Sequence, residues 1–386
     1  MSFFEKVEQT PADPIFGLEL RFLSDSRPFK VNLGAGIYKT AELKPLILNS
    51  VKEAEFRILQ REKSKDYLPI DGMPEFVDLT MDLVFGKKNR LHPIYGAQTT
   101  GGTGALRVGG VFLKEAGFKT LYLSDPTWGN HARIFNHAGL DTRSYPYYDW
   151  DKKGFDCNRM IEAIFQMEER SVILLHACCH NPTGCDPSLD QWKEIFRAVQ
   201  KKKIFPFFDF AYQGFGDGLE EDAHPLHLWI DSGSEYLVAT SYAKNFGIYA
   251  ERCGALFVGC QTDEDRKRIG SKIKVIIRGL YSNPPCHGGR IVTEILGDEK
   301  LRSDWEKELD AMRARINGMR TIFAERLGLH DLTSQKGMFS YTGLQQGQVE
   351  KLIANYGVYL PNDGRINLAG LNDENLNHVI DSFSKV

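Results

Sequence analysis

The sequence predicts an α/β fold: a large domain with a mostly parallel sheet, joined to a smaller α+β domain formed by the two chain ends. Three observations predict it. The chain has 386 residues, more than a single hydrophobic core usually supports. From about residue 45 onward, helix-period segments alternate with short apolar runs, as crossover-connected parallel strands require. Near residue 301 that texture gives way to one long charged helix followed by very short strands. The expected divisions are an N-terminal arm (residues 1–11), a first small-domain segment (12–44), a large domain (45–305) and a second small-domain segment (306–386).

The elements follow in order. Ser50-x-x-Glu53 predicts a capping box opening a helix that runs to about Glu62. Pro74 in a first turn and Gly86 past the end bracket a second helix. Residues 104–115 read as a third, ended by Gly117. Ser188-x-x-Gln191 opens a fourth, with Trp192, Ile195, Phe196 and Val199 on one side. Residues 120–123, 172–179, 204–208, 236–240 and 255–258 are apolar runs of buried-strand length. Pro206 is out of place in one of them, because proline cannot donate to a central ladder. Residues 301–327 read as the long helix, followed by strands at 338–341, 358–360 and 365–368 and a final helix near 374–383. Residues 11–44, cut off from the sheet by loops, are expected to join this second domain.

Composition narrows the function. Apolar residues make up 42% and charged ones 26%, and 48 Lys plus Arg nearly balance 51 Asp plus Glu. That balance argues against a nucleic-acid partner, which needs a concentrated positive field. The most apolar runs are too short to cross a bilayer, and the acidic first residues do not resemble a secretory signal. Seven cysteines without a CxxC pair suggest reduced thiols and a cytoplasmic protein.

The chemistry lies just after successive apolar runs. Trp128 follows residues 120–123; Asn181 follows 172–179; Asp209 follows 204–208, with Tyr212 three residues on; Ser241 and Lys244 follow 236–240. In open parallel sheets the ligand lies at the carboxyl ends of the strands, so these residues are expected to converge. Taken singly each has a plainer reading: Asp209 a turn residue, Lys244 a solvated lysine, Trp128 packing, Asn181-Pro182 a turn. The segment Thr100-Gly-Gly-Thr-Gly-Ala-Leu-Arg-Val-Gly-Gly leads into a helix, where backbone amides can cradle a phosphate. Its spacing fits neither a nucleotide P-loop nor GxGxxG, so a monophosphate suits it better than a dinucleotide. His176, Cys178, Cys179, His180 and Cys185 cluster locally, and His176, Cys178 and His180 would share a face on a strand. Their spacing matches no zinc signature, so no metal is expected.

Eight blocks in order resemble the aspartate/aromatic aminotransferases, the class I pyridoxal-phosphate enzymes. They begin with Asn32-Leu-Gly-Ala-Gly-Ile-Tyr, Asp66-Tyr-Leu-Pro-Ile-Asp-Gly, Gly102-Thr-Gly-Ala-Leu-Arg and His180-Asn-Pro-Thr-Gly. They continue with Phe208-Asp-Phe-Ala-Tyr-Gln-Gly-Phe, Lys244-Asn-Phe-Gly-Ile-Tyr-x-Glu-Arg, Tyr281-Ser-Asn-Pro-Pro and Gly364-Arg-Ile-Asn-x-Ala-Gly. The resemblance implies a fold type I homodimer with shared active sites, acting on amino acids and 2-oxo acids by a ping-pong mechanism. Lys244 would bond to the cofactor aldehyde and, once released, act as general base and acid. Asp209 would keep the pyridine nitrogen protonated, Asn181 and Tyr212 would hydrogen-bond the phenolic oxygen, and Trp128 would stack on the ring. Gly102, Thr103, Ser241 and Arg252 would hold the phosphate, with Tyr67 arriving from the partner subunit. Gly36, Trp128 and Asn181 would border the substrate; Arg365 would grip its α-carboxylate and Arg278, from the other subunit, a side-chain carboxylate.

Two arginines point to aspartate and glutamate as substrates, with an aromatic (tyrosine/phenylalanine) preference as the alternative. Gly101 and Ala243 stand where relatives often carry serine, removing hydroxyls near the phosphate, and Ala35 replaces a usual valine. The same scaffold also supports lyase or decarboxylase chemistry. A nicotinamide oxidoreductase is disfavoured by the glycine spacing.

Overall fold

Seven strands form the central sheet: β1 (Ile94–Thr100), β2 (Thr120–Asp125), β3 (Asp141–Pro146), β4 (Val172–His176), β5 (Phe205–Phe210), β6 (Tyr236–Ser241) and β7 (Cys253–Gly259). They lie in the order β1-β7-β6-β5-β4-β2-β3 in a computed structural model that describes residues 2–9, 14–86 and 91–386. Only β7 runs antiparallel to its neighbours, so the sheet is mostly parallel, as predicted. Strand β4 is buried along its whole length, consistent with helices on both faces of the sheet.

Pro206 is accommodated by register. The Phe205 N–H donates to Ser171 O at 2.9 Å on the β4 side, so the next nitrogen, that of Pro206, points towards β6. Pairing with β6 begins only at Phe207, where no donor from Pro206 is needed.

Several local expectations are corrected. The helix Asn49–Arg61 begins before Ser50, which does not cap it. Its first amides are held by a remote carboxylate: Glu308 accepts from Asn49 N at 2.7 Å, from Ser50 N at 3.1 Å and from Ser50 Oγ at 2.6 Å. The third helix is Gly101–Glu115, three residues longer at its start than expected, because Gly101 (φ +73°) makes the turn straight out of β1. The run 172–179 leaves the sheet at His176, so its alternation does not extend to Cys178 and His180. Asp186 instead accepts the Cys179 and His180 amides at 2.7 and 2.9 Å. Pro74–Phe85 and the Ser188-capped helix Leu189–Lys202 match expectation, the latter with a reciprocal Ser188–Gln191 capping box.

The chain ends meet. Val31–Asn32 pairs in parallel with Val358–Tyr359, and Phe339–Tyr341 pairs with Arg365–Asn367. The long helix Glu299–Leu327 and the final helix Leu376–Phe383 pack against these short strands' surroundings. The proposed boundary between arm and small domain falls among residues 10–13, outside the described residues.

Candidate active site

Because β1, β2, β4, β5 and β6 run the same way, the residues after them reach one edge of the sheet. β7 runs the opposite way, so the residue before its first position, Arg252, reaches that edge too; Cys253 pairs with Thr100 and Gly254 with Ser241. The crossing is tight: a Cβ at Gly254 would lie 2.5 Å from Thr240 O. This convergence opens a cavity of about 240 Å³. Eleven predicted site residues line it: Gly36, Gly102, Thr103, Trp128, Asn181, Asp209, Tyr212, Ser241, Lys244, Arg252 and Arg365. Tyr67 and Arg278 do not. Tyr67 is 91% exposed, and Arg278 is an exposed residue in the last turn of Asp263–Leu280, bonded to Ser282 Oγ.

At the floor, Asp209 is buried and accepts from His131 Nε2 at 2.9 Å, while His131 Nδ1 meets Thr127 Oγ1 at 2.8 Å. Burial pushes the Asp209 carboxyl up, but the His131 bond and the fields of His131, His176 and Lys244 outweigh it and hold it below its ordinary value. An ionised Asp209 accepts only, so His131 carries its proton on Nε2. Trp128 stands edge-on to His131, with ring centroids 5.2 Å apart. Lys244 Nζ lies 4.7 Å from the Tyr212 ring centre. Burial lowers the Lys244 pKa, Asp209 partly restores it and Arg252 lowers it further. Tyr212 is raised by burial, so its hydroxyl stays protonated.

At one end Gly102 and Thr103, in the first turn of Gly101–Glu115, line the cavity beside Ser241 and Arg252, and a helix's first amides lack partners within the helix. Gly101 makes room for the arginine, because a Cβ there would sit 2.7 Å from Arg252 Nη2. At the other end Arg365 is buried, donating from Nη1 to Asn181 Oδ1 (3.2 Å) and from Nη2 to Gly34 O (3.1 Å). Its guanidinium lies 4.1 Å over the Phe339 ring, and its Nε has no partner.

Sequence reasoning missed three lining groups, the cavity face of His176, Tyr249 and Phe339, and behind the wall it missed His131's bond to Asp209. Tyr249 OH accepts the Tyr38 N–H at 2.9 Å, tying the 34–38 loop to the cavity wall. His131 stands three residues after Trp128, at the first position of the helix His131–His137, and nothing in its local sequence marks it.

Comparison with known proteins agrees with this geometry. The family "Aminotransferase class I and II" matches residues 28–383. Aspartate aminotransferase of Escherichia coli (strain K12) is 44% identical over 384 residues, covering 97% of each chain. That of Haemophilus influenzae is 42% identical, covering 99% of this chain and 100% of its own. The aromatic-amino-acid aminotransferase of Burkholderia pseudomallei, solved covalently bound to pyridoxal phosphate, superposes with a TM-score of 0.97 at 39% identity, covering 100% of this chain and 99% of that one. The chain belongs to the class I and II aminotransferases, enzymes that depend on pyridoxal phosphate.

Proposed function

We propose that this chain moves amino groups between dicarboxylic amino acids (aspartate, glutamate) and 2-oxo acids by a ping-pong mechanism, as a cytoplasmic homodimer. The observation that carries this reading is that an amine, Lys244, and an ionised carboxylate, Asp209, open onto one cavity with a buried arginine, Arg365. No helix among the described residues is long and apolar enough to cross a membrane.

The residues present fit pyridoxal phosphate. A helix N-terminus and Arg252 suit its phosphate, Asp209 its ring nitrogen, and Lys244 its aldehyde. When bound, the cofactor supplies a cationic ring that accepts the electron pair left at the substrate Cα. Asp209, oriented by His131, holds that ring's nitrogen proton. Lys244 would take the Cα proton and deliver it to the cofactor carbon two atoms on, across the shared nitrogen, a role that requires its unprotonated form, which burial favours. Arg365 is aimed at the substrate α-carboxylate: its present partners are neutral oxygens, and a carboxylate would supply a bidentate anionic one. Tyr67 and Arg278 reach a second copy's cavity in this reading, Arg278 to take the side-chain carboxylate. The two chain-end segments form the small domain, whose 34–38 loop and Arg365 close over substrate and exclude water.

The solved aromatic aminotransferases among the similar structures favour a second reading, admission of aromatic side chains beside the small Ala35. A kcat/KM profile for aspartate, glutamate, tyrosine and phenylalanine with one keto acid decides between them. A protein that stays colourless and inactive with added pyridoxal phosphate overturns both. So does borohydride fixation of the cofactor at a residue other than Lys244.

A further inference from the structure

The Asp209 end of the cavity holds more donor atoms than amino transfer uses. His176 is 6% exposed, lines the cavity and has no hydrogen-bond partner at either ring nitrogen. A buried imidazole with both nitrogens idle forgoes hydrogen bonds it would have in water, which asks for a ligand. One donor atom each from His131, His176 and Asp209 lies within 4.8 Å of the others, and all three residues are buried.

Two histidines and a carboxylate with donor atoms this close form a donor set suited to borderline dications such as zinc, with further positions open to water. Two donors each about 2.1 Å from an ion stand about 3.0–3.4 Å apart. His131 Nε2 and Asp209 Oδ2 are already 2.9 Å apart, so binding requires His176 to approach and the His131 ring to turn its nitrogen from the carboxylate towards the ion. We propose that, in the chain free of pyridoxal phosphate, His131, His176 and Asp209 bind one divalent transition-metal ion, and that this excludes the cofactor.

The protons balance. In the metal-free state His131 Nε2–H donates to Asp209 and Nδ1 accepts from Thr127 Oγ1, 2.8 Å away. On binding, Nε2 gives up its proton and offers its lone pair to the metal, while Nδ1 takes up a proton and donates to Thr127 Oγ1. The imidazole stays neutral and no net proton is released. Thr127 therefore changes from donor to acceptor and orients the ligating ring, as outer partners of metal-bound histidines do. Asp209 then has its charge satisfied by the ion and cannot also hold a ring-nitrogen proton, hence the exclusion.

Cobalt(II) is the probe, titrated into the full-length, cofactor-free protein and followed by its visible absorption. The expected result is one equivalent bound, lost when pyridoxal phosphate is added. His176→Phe should weaken it by more than about 100-fold, and Thr127→Val, which removes no donor to the metal, by about 10-fold or more. Circular dichroism checks that each variant folds; if His176→Phe does not, Thr127→Val decides. Cobalt binding unchanged in the folded variants, binding lost instead in Cys178→Ser at the separate Cys178–Cys179–Asp222 group, or cobalt retained beside bound cofactor overturns the proposal. A protein that binds no pyridoxal phosphate would fail the proposed function instead, and the His176 dependence of the cobalt spectrum would still decide the metal site.

Discussion

Two cavities of this molecule differ in a way that their sizes conceal. The larger, a groove of about 730 Å³, runs between the helices Asn49–Arg61 and His287–Gly297 and is rich in charge. Most of its charges are spent on one another: Arg57 pairs with Glu53 at 2.8 Å and with Asp298 at 3.1 Å, Arg61 with Glu294 at 2.5 Å, and Arg290 with Glu62. The smaller, about 240 Å³, keeps its chemistry uncommitted. Among the described residues Arg365 donates only to neutral oxygens, and His176 is bonded to nothing. Burying such groups costs free energy that packing elsewhere must offset, which is tolerated where a ligand repays it. Unspent polarity, more than volume, marks the site.

The sharpest break between the two cavities is expected at Lys244. Lys244→Ala should lower kcat by about 10² to 10⁴, the range for losing a positioned acid–base group. Arg57→Met, in the larger groove, should leave kcat/KM unchanged. Comparable losses in the two variants would erase the distinction drawn between paired and unpaired charge.

Arg365 gives the next largest effect and a diagnostic pattern. Losing a charge-assisted hydrogen bond costs about 1.5–3 kcal/mol, or about 10- to 150-fold in kcat/KM. The loss should be similar for aspartate and phenylalanine, because both carry the α-carboxylate. Removing an under-satisfied buried cation should also leave Tm unchanged or raise it in Arg365→Met. A large fall in Tm would mean that the arginine serves the fold.

How much of this was legible in the sequence varies with the distance over which each feature is determined. The site's main residues were, because each follows its own strand and the shared strand direction does the rest. The Glu308 cap on Asn49–Arg61 was not, since its acceptor comes from about 260 residues away and Ser50 offered a local decoy. Strand β1 was hidden by Gly96 and its polar tail Gln98-Thr99-Thr100, and β3 by the exposed polar residues of an edge strand. His131 was invisible for the opposite reason: its meaning lies wholly in Asp209, 78 residues on, to which it is bonded.

A smaller effect tests the part of the site that a single subunit leaves outside. Arg278 sits exposed, away from its own cavity, so its assigned role belongs to a second copy. Arg278→Leu should depress kcat/KM for aspartate and glutamate while sparing phenylalanine. Mixing Arg278→Leu with Lys244→Ala should restore some dicarboxylate activity, since one hybrid site then holds both intact residues. Equal loss for both substrate classes would remove the side-chain assignment.

The smallest effect concerns the field at Lys244, and its sign is fixed by geometry. Burial lowers the amine's pKa, the Asp209 charge raises it and Arg252 lowers it. Arg252→Met should therefore move the titration upward and Asp209→Asn downward, read as the pH midpoint of amine acylation at Lys244 in cofactor-free protein. The same shift enters stability. Between the lowered folded value and the ordinary 10.5, the unfolded chain holds a proton that the folded chain has released. Folding stability then gains from this residue as pH rises through that window. Asp209→Asn should widen the window and Arg252→Met narrow it. Shifts of the same sign in both variants would mean that loosened packing, rather than charge, sets the amine's affinity for its proton.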